Sequence, residues 1–292
     1  MALPPAQPEH ASPMIDLHCH SAFSDGSDPP EALAAMADQL GLTALALTDH
    51  DTVDGLPSFL ACQPSTPTRL LAGVELSAGF LGRSLHVVGL FVDPGDGRFR
   101  RRLEELRLRR DARNEAMVKR LGELGAPVSL DAVQSRATSR VVSRVHFALA
   151  LVEAGHASSQ EDAFRRWIGD RAPAFVPRRE LSPGEAADWI RQAGGLPFVA
   201  HPGRFAGRGF RWEEAILDLK KEGMAGLEAY YGDQAPTEEA AFLRLAREAG
   251  VLVAGGSDYH GAHKEGISLG TGRGRLLVPD GILAPMEIEL GH

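Results

Sequence analysis

The stretch Ile15-Asp16-Leu17-His18-Cys19-His20-Ser21-Ala22-Phe23-Ser24-Asp25-Gly26 decides the fold reading. It opens as a short apolar run, Met14, Ile15 and Leu17, of the kind that forms a buried strand. His18 and His20 stand two apart, so on an extended chain both imidazoles aim at one face and Cys19 at the other. Asp25 and Gly26 follow after a short polar loop able to bend back over the strand end. Two imidazoles and a carboxylate converging there make a metal site if further ligands arrive from other strands. Without them they are polar residues at a strand exit.

The same pattern recurs downstream. Pro29 to Leu40 has Ala, Leu and Met at helical spacing, with proline suited to its first turn and Gly41 to its end. Leu42 to Leu47 reads as a second strand, ending in Thr48-Asp49-His50-Asp51, and Arg69 to Val74 as a third, ending at Glu75. Ser84 to Val92 is a fourth, with His86 near its start. Strand and helix alternate again from Ser182: a strand at Leu196 to Ala200 runs into His201, one at Gly226 to Tyr230 follows, and one at Val251 to Gly255 runs into Ser257-Asp258-Tyr259-His260. Helices are expected between them at Pro183 to Ala193, Trp212 to Glu222 and Pro236 to Ala249. Seven strand candidates alternating mostly with helices favour an α/β architecture with a closed or nearly closed sheet; a doubly wound open sheet is the alternative. No G-x-G-x-x-G follows the first strand, so dinucleotide binding is unsupported.

Between the fourth strand and Ser182 the composition changes. Arg98 to Leu124 is strongly charged with a helical period, and it contains Arg98, Arg100, Arg101, Arg102, Arg107, Arg109, Arg110 and Arg113. Further helical segments follow near 130–136, 143–154 and 160–167. Residues 98–175 therefore read as a helical insertion, or lid, domain in a discontinuous barrel domain of residues 14–97 and 176–285, with residues 1–13 a disordered lead-in rich in proline and alanine. The arginine run reads as a solvated helical face rather than an RNA track, since Phe99 is its one aromatic residue. Trp167, Trp189 and Trp212 read as core or interface fillers.

With 292 residues, 43% hydrophobic and 24% charged, the chain has the composition of a soluble globular protein, and its net charge of −8 provides no global attraction to nucleic acid or membrane. Two cysteines, Cys19 and Cys62, give neither a disulfide framework nor a thiolate zinc cluster, and the simplest expectation is a cytoplasmic protein. No apolar stretch approaches a bilayer span, so no membrane partner is expected.

Six of the eleven histidines, His18, His20, His50, His86, His201 and His260, fall with Asp25, Glu75 and Asp258 at strand ends or the loops beside them. In an α/β barrel those ends form one rim, which carries the active site. If the fourth strand pairs antiparallel with the third, His86 at its start meets the Glu75 end. Nine N and O ligands exceed one ion's needs; a carboxylate can bridge two ions, and Glu75 is best placed to do so. Imidazole mixed with carboxylate suits manganese, iron, zinc or magnesium, and a multi-metal cluster of this kind serves phosphoester hydrolysis.

H-C-H-S-A-F-S-D-G, T-D-H-D-T, G-V-E-L-S, L-H-V-V-G, A-H-P-G-R and G-S-D-Y-H-G, in that order, resemble the successive motifs of the polymerase and histidinol phosphatase (PHP) family. The resemblance covers nearly all of Ile15 to Gly270 and implies a distorted (β/α)7 barrel holding two to three divalent ions, manganese first among them. The implied metal ligands are His18, His20, Asp25, His50, Glu75, His86, His201, Asp258 and His260. Of these, His18, His20, Asp25, Glu75, His201, Asp258 and His260 form the implied catalytic set. The insertion, with S-R-V-H-F-A-L-A-L-V-E-A-G and A-F-V-P-R, is similar to the branch with nucleoside 3′,5′-bisphosphate phosphatase and short-RNA 5′-exonuclease activity. That branch commonly has Gly-Arg-Pro-His where this chain has Ser143-Arg144-Val145-His146; the arginine and histidine survive.

Arg144, His146 and Arg204 are the expected substrate contacts. A guanidinium matches a phosphate bidentately, although Arg144 could equally form a surface salt bridge, His146 a capped interior histidine and Arg204 a solvated loop residue. The expected activity is hydrolysis of the 3′-phosphate of a nucleoside 3′,5′-bisphosphate. The alternatives are 5′ to 3′ cleavage of short RNA, a histidinol-phosphate-type phosphatase, and a metal-stabilised accessory module without turnover. The expected partner is a small nucleotide or short RNA, not duplex DNA.

Overall fold

A computed structural model describes residues 14–62, 65–137, 141–177, 180–205 and 210–291, so the proposed lead-in of residues 1–13 lies outside the described residues. The strands are β1 (Ile15–Cys19), β2 (Ala44–Leu47), β3 (Arg69–Phe80), β4 (Arg83–Leu90), β5 (Leu196–Val199), β6 (Gly226–Tyr231) and β7 (Leu252–Gly256). They form one sheet in sequence order. Pairings are parallel except on both sides of β4, which runs antiparallel to β3 and β5. The ends of β1 and β7 meet: Asp258 N donates to His18 O at 2.8 Å and His20 N to Tyr259 O at 2.9 Å. The sheet is thus a nearly closed seven-stranded barrel, distorted by its one reversed strand.

The helices are α1 (Pro30–Leu40), α2 (Leu56–Leu60), α3 (Gly97–Glu123), α4 (Leu130–Gln134), α5 (Arg144–Glu153), α6 (Gln160–Ala163), α7 (Pro183–Gln192), α8 (Pro202–Phe205), α9 (Trp212–Lys221), α10 (Pro236–Ala249) and α11 (Leu283–Leu290). The local signals read from sequence act as physics requires. Gly41 ends α1 at φ 67°, and the Ser182 side chain caps α7 in a reciprocal box with Glu185. Helices α2 and α8 are a turn or so long, too short to leave a periodic pattern. Helix α11, also absent from the sequence reading, lays Leu283 and Met286 against the barrel's inner core.

Three apolar cores organise the chain. The inner core fills the barrel with Ala44, Ala46, Val88, Phe198 and Ala254. The outer core lies between the sheet and its helices, with Leu45, Leu47, Phe59, Ile190, Ile216 and Leu219. The third belongs to the helical segment, with Met117, Leu121, Phe147, Leu151 and Ile168. Helix α3 joins two of them, setting Phe99, Leu103 and Leu106 in the outer core and Met117 and Leu121 in the third.

Strict alternation would put Leu17 and Cys19 on one face of β1. Instead Leu17 packs in the inner core and Cys19 in the outer one. The β1–β2 register shifts between Asp16 and Cys19, and this irregularity re-aims the end of the strand where the histidines begin.

The seam between β7 and β1 leaves no room for a side chain at Gly256. A Cβ there would lie 2.4 Å from both His18 Cβ and His18 N. Both neighbours are held by the seam's backbone bonds, so Gly256→Ala should force the strands apart and cost roughly 1–3 kcal/mol or more. The expected result is a lower urea midpoint for the metal-free protein; an unchanged midpoint would show that the seam does not limit stability.

Candidate metal centre

Glu75 lies at the middle of the site with no solvent exposure. Its Oε2 is 3.0 Å from His50 Nδ1, 3.2 Å from His20 Nε2 and 3.3 Å from His18 Nε2. Its Oε1 is 2.9 Å from His86 Nδ1 and 3.0 Å from His201 Nε2. The two oxygens of one carboxylate therefore divide five imidazoles into two groups. Asp258 Oδ1 adjoins His20 Nε2 and His260 Nδ1, each at 3.4 Å, and Asp25 Oδ1 lies 3.3 Å from His260 Nε2. All nine expected ligands come together.

Every strand contributes to this arrangement. β1 supplies His18 and, one residue past its end, His20; the turn after β2 supplies His50, β3 Glu75, β4 His86, and the turns after β5 and β7 supply His201 with Asp258 and His260. Antiparallel pairing sets His86 opposite Ser77, so its imidazole descends on the face that carries Glu75. β6 supplies Glu228, which the sequence reading missed. Its Oε1 is 2.8 Å from His18 Nδ1 and its Oε2 accepts from His201 N at 2.6 Å. A charged residue inside the buried run Gly226–Tyr231 was the available signal.

The two aspartates flanking His50 also went unassigned. Asp49 accepts from Ser21 N, Ser21 Oγ and Ser24 Oγ, fixing the loop that leads to Asp25. Asp51 accepts from Ser77 N and pairs with Arg110 of α3. Asp258 Oδ2 accepts from Tyr231 Oη at 2.7 Å and from Lys264 Nζ at 2.5 Å.

The electrostatics suit cations. Burial opposes charge on Glu75, yet His50, His86 and His18 hold its carboxyl well below the usual range. Asp25 and Asp258 are likewise buried and likewise held low, by His50 and His260 in one case and by Lys264 and His260 in the other. Burial would lower His50, but Glu75 and Asp25 push it up to about 9. For His201 and His260 burial prevails and favours the neutral form that binds metal.

His20 Nδ1, Asp25 Oδ1 and Glu75 Oε2 are buried and make no hydrogen bond, a state that typically costs about 1–3 kcal/mol each. Three groups of ligand atoms converge: His20, Asp25, His50 and His260; His18, His20 and Glu75; and His50, Glu75 and His86. Orphaned buried atoms within a thiolate-free N/O set fit divalent ions held by these residues, with Glu75 shared between two groups.

The centre opens into a cleft of about 460 Å³. Arg144 and Arg204 line it; His146 does not. Arg144 Nη1 pairs with Asp170 Oδ1 at 2.5 Å, and Arg204 Nη1 donates to Tyr231 Oη at 3.0 Å. His146 is buried at the third position of α5, where its Nδ1 accepts from Ser143 N at 3.0 Å. The solvated-face reading of the arginine run needs correction at two positions. Arg110 and Arg113 are buried and line the cleft. Three apart on α3, they share the helix face turned inward, while Arg98, Arg100 and Arg101 are exposed. A run of charges looks alike on either face until a partner for the helix is known.

Known proteins agree with this geometry. The PHP domain family matches residues 16–128. A 5′-3′ exoribonuclease of Haemophilus influenzae is 33% identical over 84% of this chain and 89% of its own length. A 3′,5′-nucleoside bisphosphate phosphatase of Chromobacterium violaceum is 32% identical over 88% of this chain and 90% of its own. A solved structure from Bifidobacterium adolescentis, provisionally named a metal-dependent phosphoesterase, superposes with a TM-score of 0.83 at 29% identity, covering 96% of this chain and 97% of that one. The chain belongs to the PHP family, and it is a phosphoesterase with a metal centre of histidine and carboxylate ligands. Among the described residues no helix is long and apolar enough to cross a membrane.

Three outcomes follow from the centre and its surroundings. After manganese loading at neutral pH, elemental analysis should find about two to three equivalents in the native protein. Glu75→Gln should weaken two sites together; loss of one site with the others unchanged would refute a bridging carboxylate. His146 supplies the third. Its pKa is lowered to about 4 by burial, against Asp25, which raises it, and with His263 and Arg110, which lower it further. A histidine depressed in the folded state stabilises fully above its unfolded pKa near 6.5 and loses that contribution as pH falls toward 4. His146→Gln keeps an acceptor for Ser143 N, so native stability should drop relative to the variant by about 3 kcal/mol across that window. Parallel stability curves would overturn the assignment.

Proposed function

We propose that this protein removes the 3′-phosphate of nucleoside 3′,5′-bisphosphates, such as 3′-phosphoadenosine 5′-phosphate, leaving the 5′-monophosphate, with manganese as its working metal. One observation carries the reading: a single cleft has the carboxylate–imidazole centre on its barrel side and Arg110, Arg113 and Arg144 on its helical side. A monophosphate seated on the centre leaves the helical cations unused, whereas a bisphosphate engages both. A cleft of about 460 Å³ also suits one nucleotide better than a polymer or duplex. The identity of 32% to a named bisphosphate phosphatase supports the choice.

Divalent ions held by the centre supply Lewis acidity and neutralise charge that develops on phosphate and leaving oxygens. The chain's own residues position the substrate. Arg204 and Lys264, both joined to Tyr231 Oη, set positive charge beside Asp258 where the reacting phosphate enters. Arg144 is steadied by Asp170 and reaches the cleft from the first turn of α5. The helical segment, which we read as a lid domain over residues 98–175, brings Arg110, Arg113 and Arg144 to the cleft beside the rim. A second reading, 5′ to 3′ cleavage of short RNA, is favoured by the 33% identity to an exoribonuclease and uses the same centre.

A phosphate-release screen of the manganese-loaded protein tests the assignment. Bisphosphates should be turned over faster than 2′- or 3′-monophosphates, and faster than 5′-nucleotides are released from short oligoribonucleotides; the reverse order would favour the exonuclease. Arg144→Ala should lower kcat/KM for the bisphosphate by roughly tenfold to a hundredfold, the value of one charge-assisted contact of about 1.5–3 kcal/mol, while p-nitrophenyl phosphate is much less affected. Equal loss on both substrates would move Arg144 to the reacting phosphate or the fold.

A further inference from the structure

Phosphate chemistry accounts for the cations of the cleft but not for two aromatic residues beside them. Phe164 and Phe175 line its helical side and are only partly buried, whereas Phe59, Phe99, Phe147 and Phe198 are fully buried in the cores. Phe80, Phe91 and Phe210 are partly buried too, but none of them lines the cleft; Phe164 and Phe175 do, and there their uncovered ring surface is available to a ligand.

Arg144 lies between them. Its guanidinium carbon is 5.9 Å from the Phe164 ring centroid and 5.6 Å from that of Phe175. Asp170 Oδ1 at 2.5 Å and Ile168 O at 3.4 Å hold one edge of the guanidinium. A planar cation fixed by a carboxylate and lying over two rings forms a preorganised, partly apolar cluster of π surfaces.

The backbone that presents Phe164 is unusual. Phe164–Ile168 is a turn of π-helix, a form that is rare and frequent at functional sites. It closes with Gly169 N donating to Phe164 O at 2.8 Å. A Cβ on Gly169 would lie 2.6 Å from that same oxygen, so the closure requires glycine. The turn directs Phe164 to the cleft while Trp167 Nε1 donates to His156 O elsewhere in the helical segment.

We infer that Phe164 and Phe175, with Arg144 between them, form the platform on which the base of the nucleotide stacks. Bases stack on aromatic faces and guanidinium planes with little regard to exocyclic groups, because every base has a π face. The platform thus ranks purines above pyrimidines by area without separating adenine from guanine. This rests on the nucleotide reading above, so the test is chosen to separate the two.

Calorimetric binding of adenosine 5′-monophosphate and of ribose 5-phosphate to the manganese-loaded protein is compared with that of Phe164→Leu and Phe175→Leu, which keep apolar bulk and remove a ring. The native protein should bind the nucleotide more tightly than the sugar phosphate. Each variant should weaken the nucleotide by roughly tenfold to a hundredfold and leave the sugar phosphate within about twofold. Equal affinity of native protein for both ligands would overturn the platform. So would a parallel loss of both ligands in both variants, which marks a structural role. Base-dependent binding without phosphate release from any bisphosphate would keep the platform and remove the substrate assignment. Release that ignores the base would do the opposite.

Discussion

A carboxylate with no solvent exposure cannot stay charged without close positive partners, and Glu75 imposes that constraint on the whole barrel rim. Five imidazoles from four strands and their turns approach its two oxygens, and two further carboxylates complete the surround. Behind them Glu228 fixes the ring of His18 and the backbone of His201, the outer-layer carboxylate that orients metal-binding histidines. The barrel converges on charge that only cations can balance.

Reaching that convergence distorts the backbone. β3 runs past the rim to Phe80, and the hairpin turns at Leu81 and Gly82, both with positive φ, before β4 returns antiparallel. A parallel β4 would begin at the far end of the barrel and carry His86 away from Glu75. Asp51, His201 and Asp258 also adopt positive φ, at 51°, 28° and 55°. Such positions cost on the order of 1–3 kcal/mol each and persist only where surrounding contacts over-determine them. Here Ser77 holds Asp51, Glu228 receives the amide of His201, and Tyr231 and Lys264 hold Asp258.

Helix α3 ties binding to this rim. At 27 residues it extends about 40 Å, long enough to lie in two cores at once. Its first half packs on the barrel and its last half builds the helical segment, so Arg110 and Arg113 fall at the cleft between them. The pairing of Arg110 with Asp51, next to His50, links the cation-bearing wall to the metal centre through a single residue.

The sequence alone determined the strand count, the alternation of strands with helices, the caps of α1 and α7 and the nine residues expected as ligands. Each is local: period, capping chemistry and most strand ends follow from residues a few places apart, although Glu75, expected just past a strand end, lies within β3. Tertiary structure alone decided which distant groups complete them. Glu228 had to be brought beside His18 by the barrel, and Arg110 and Arg113 turned inward only once α3 lay across the rim. His146 took the capping role left open at the start of α5, away from the cleft surface. The shift at the end of β1, which separates Leu17 from Cys19, arises from pairing with β2 and has no signature in the residues themselves. Local pattern specifies what a residue can do. Its actual partner is set by packing between elements far apart in the chain, because charge and polarity acquire a direction only when a second surface covers them.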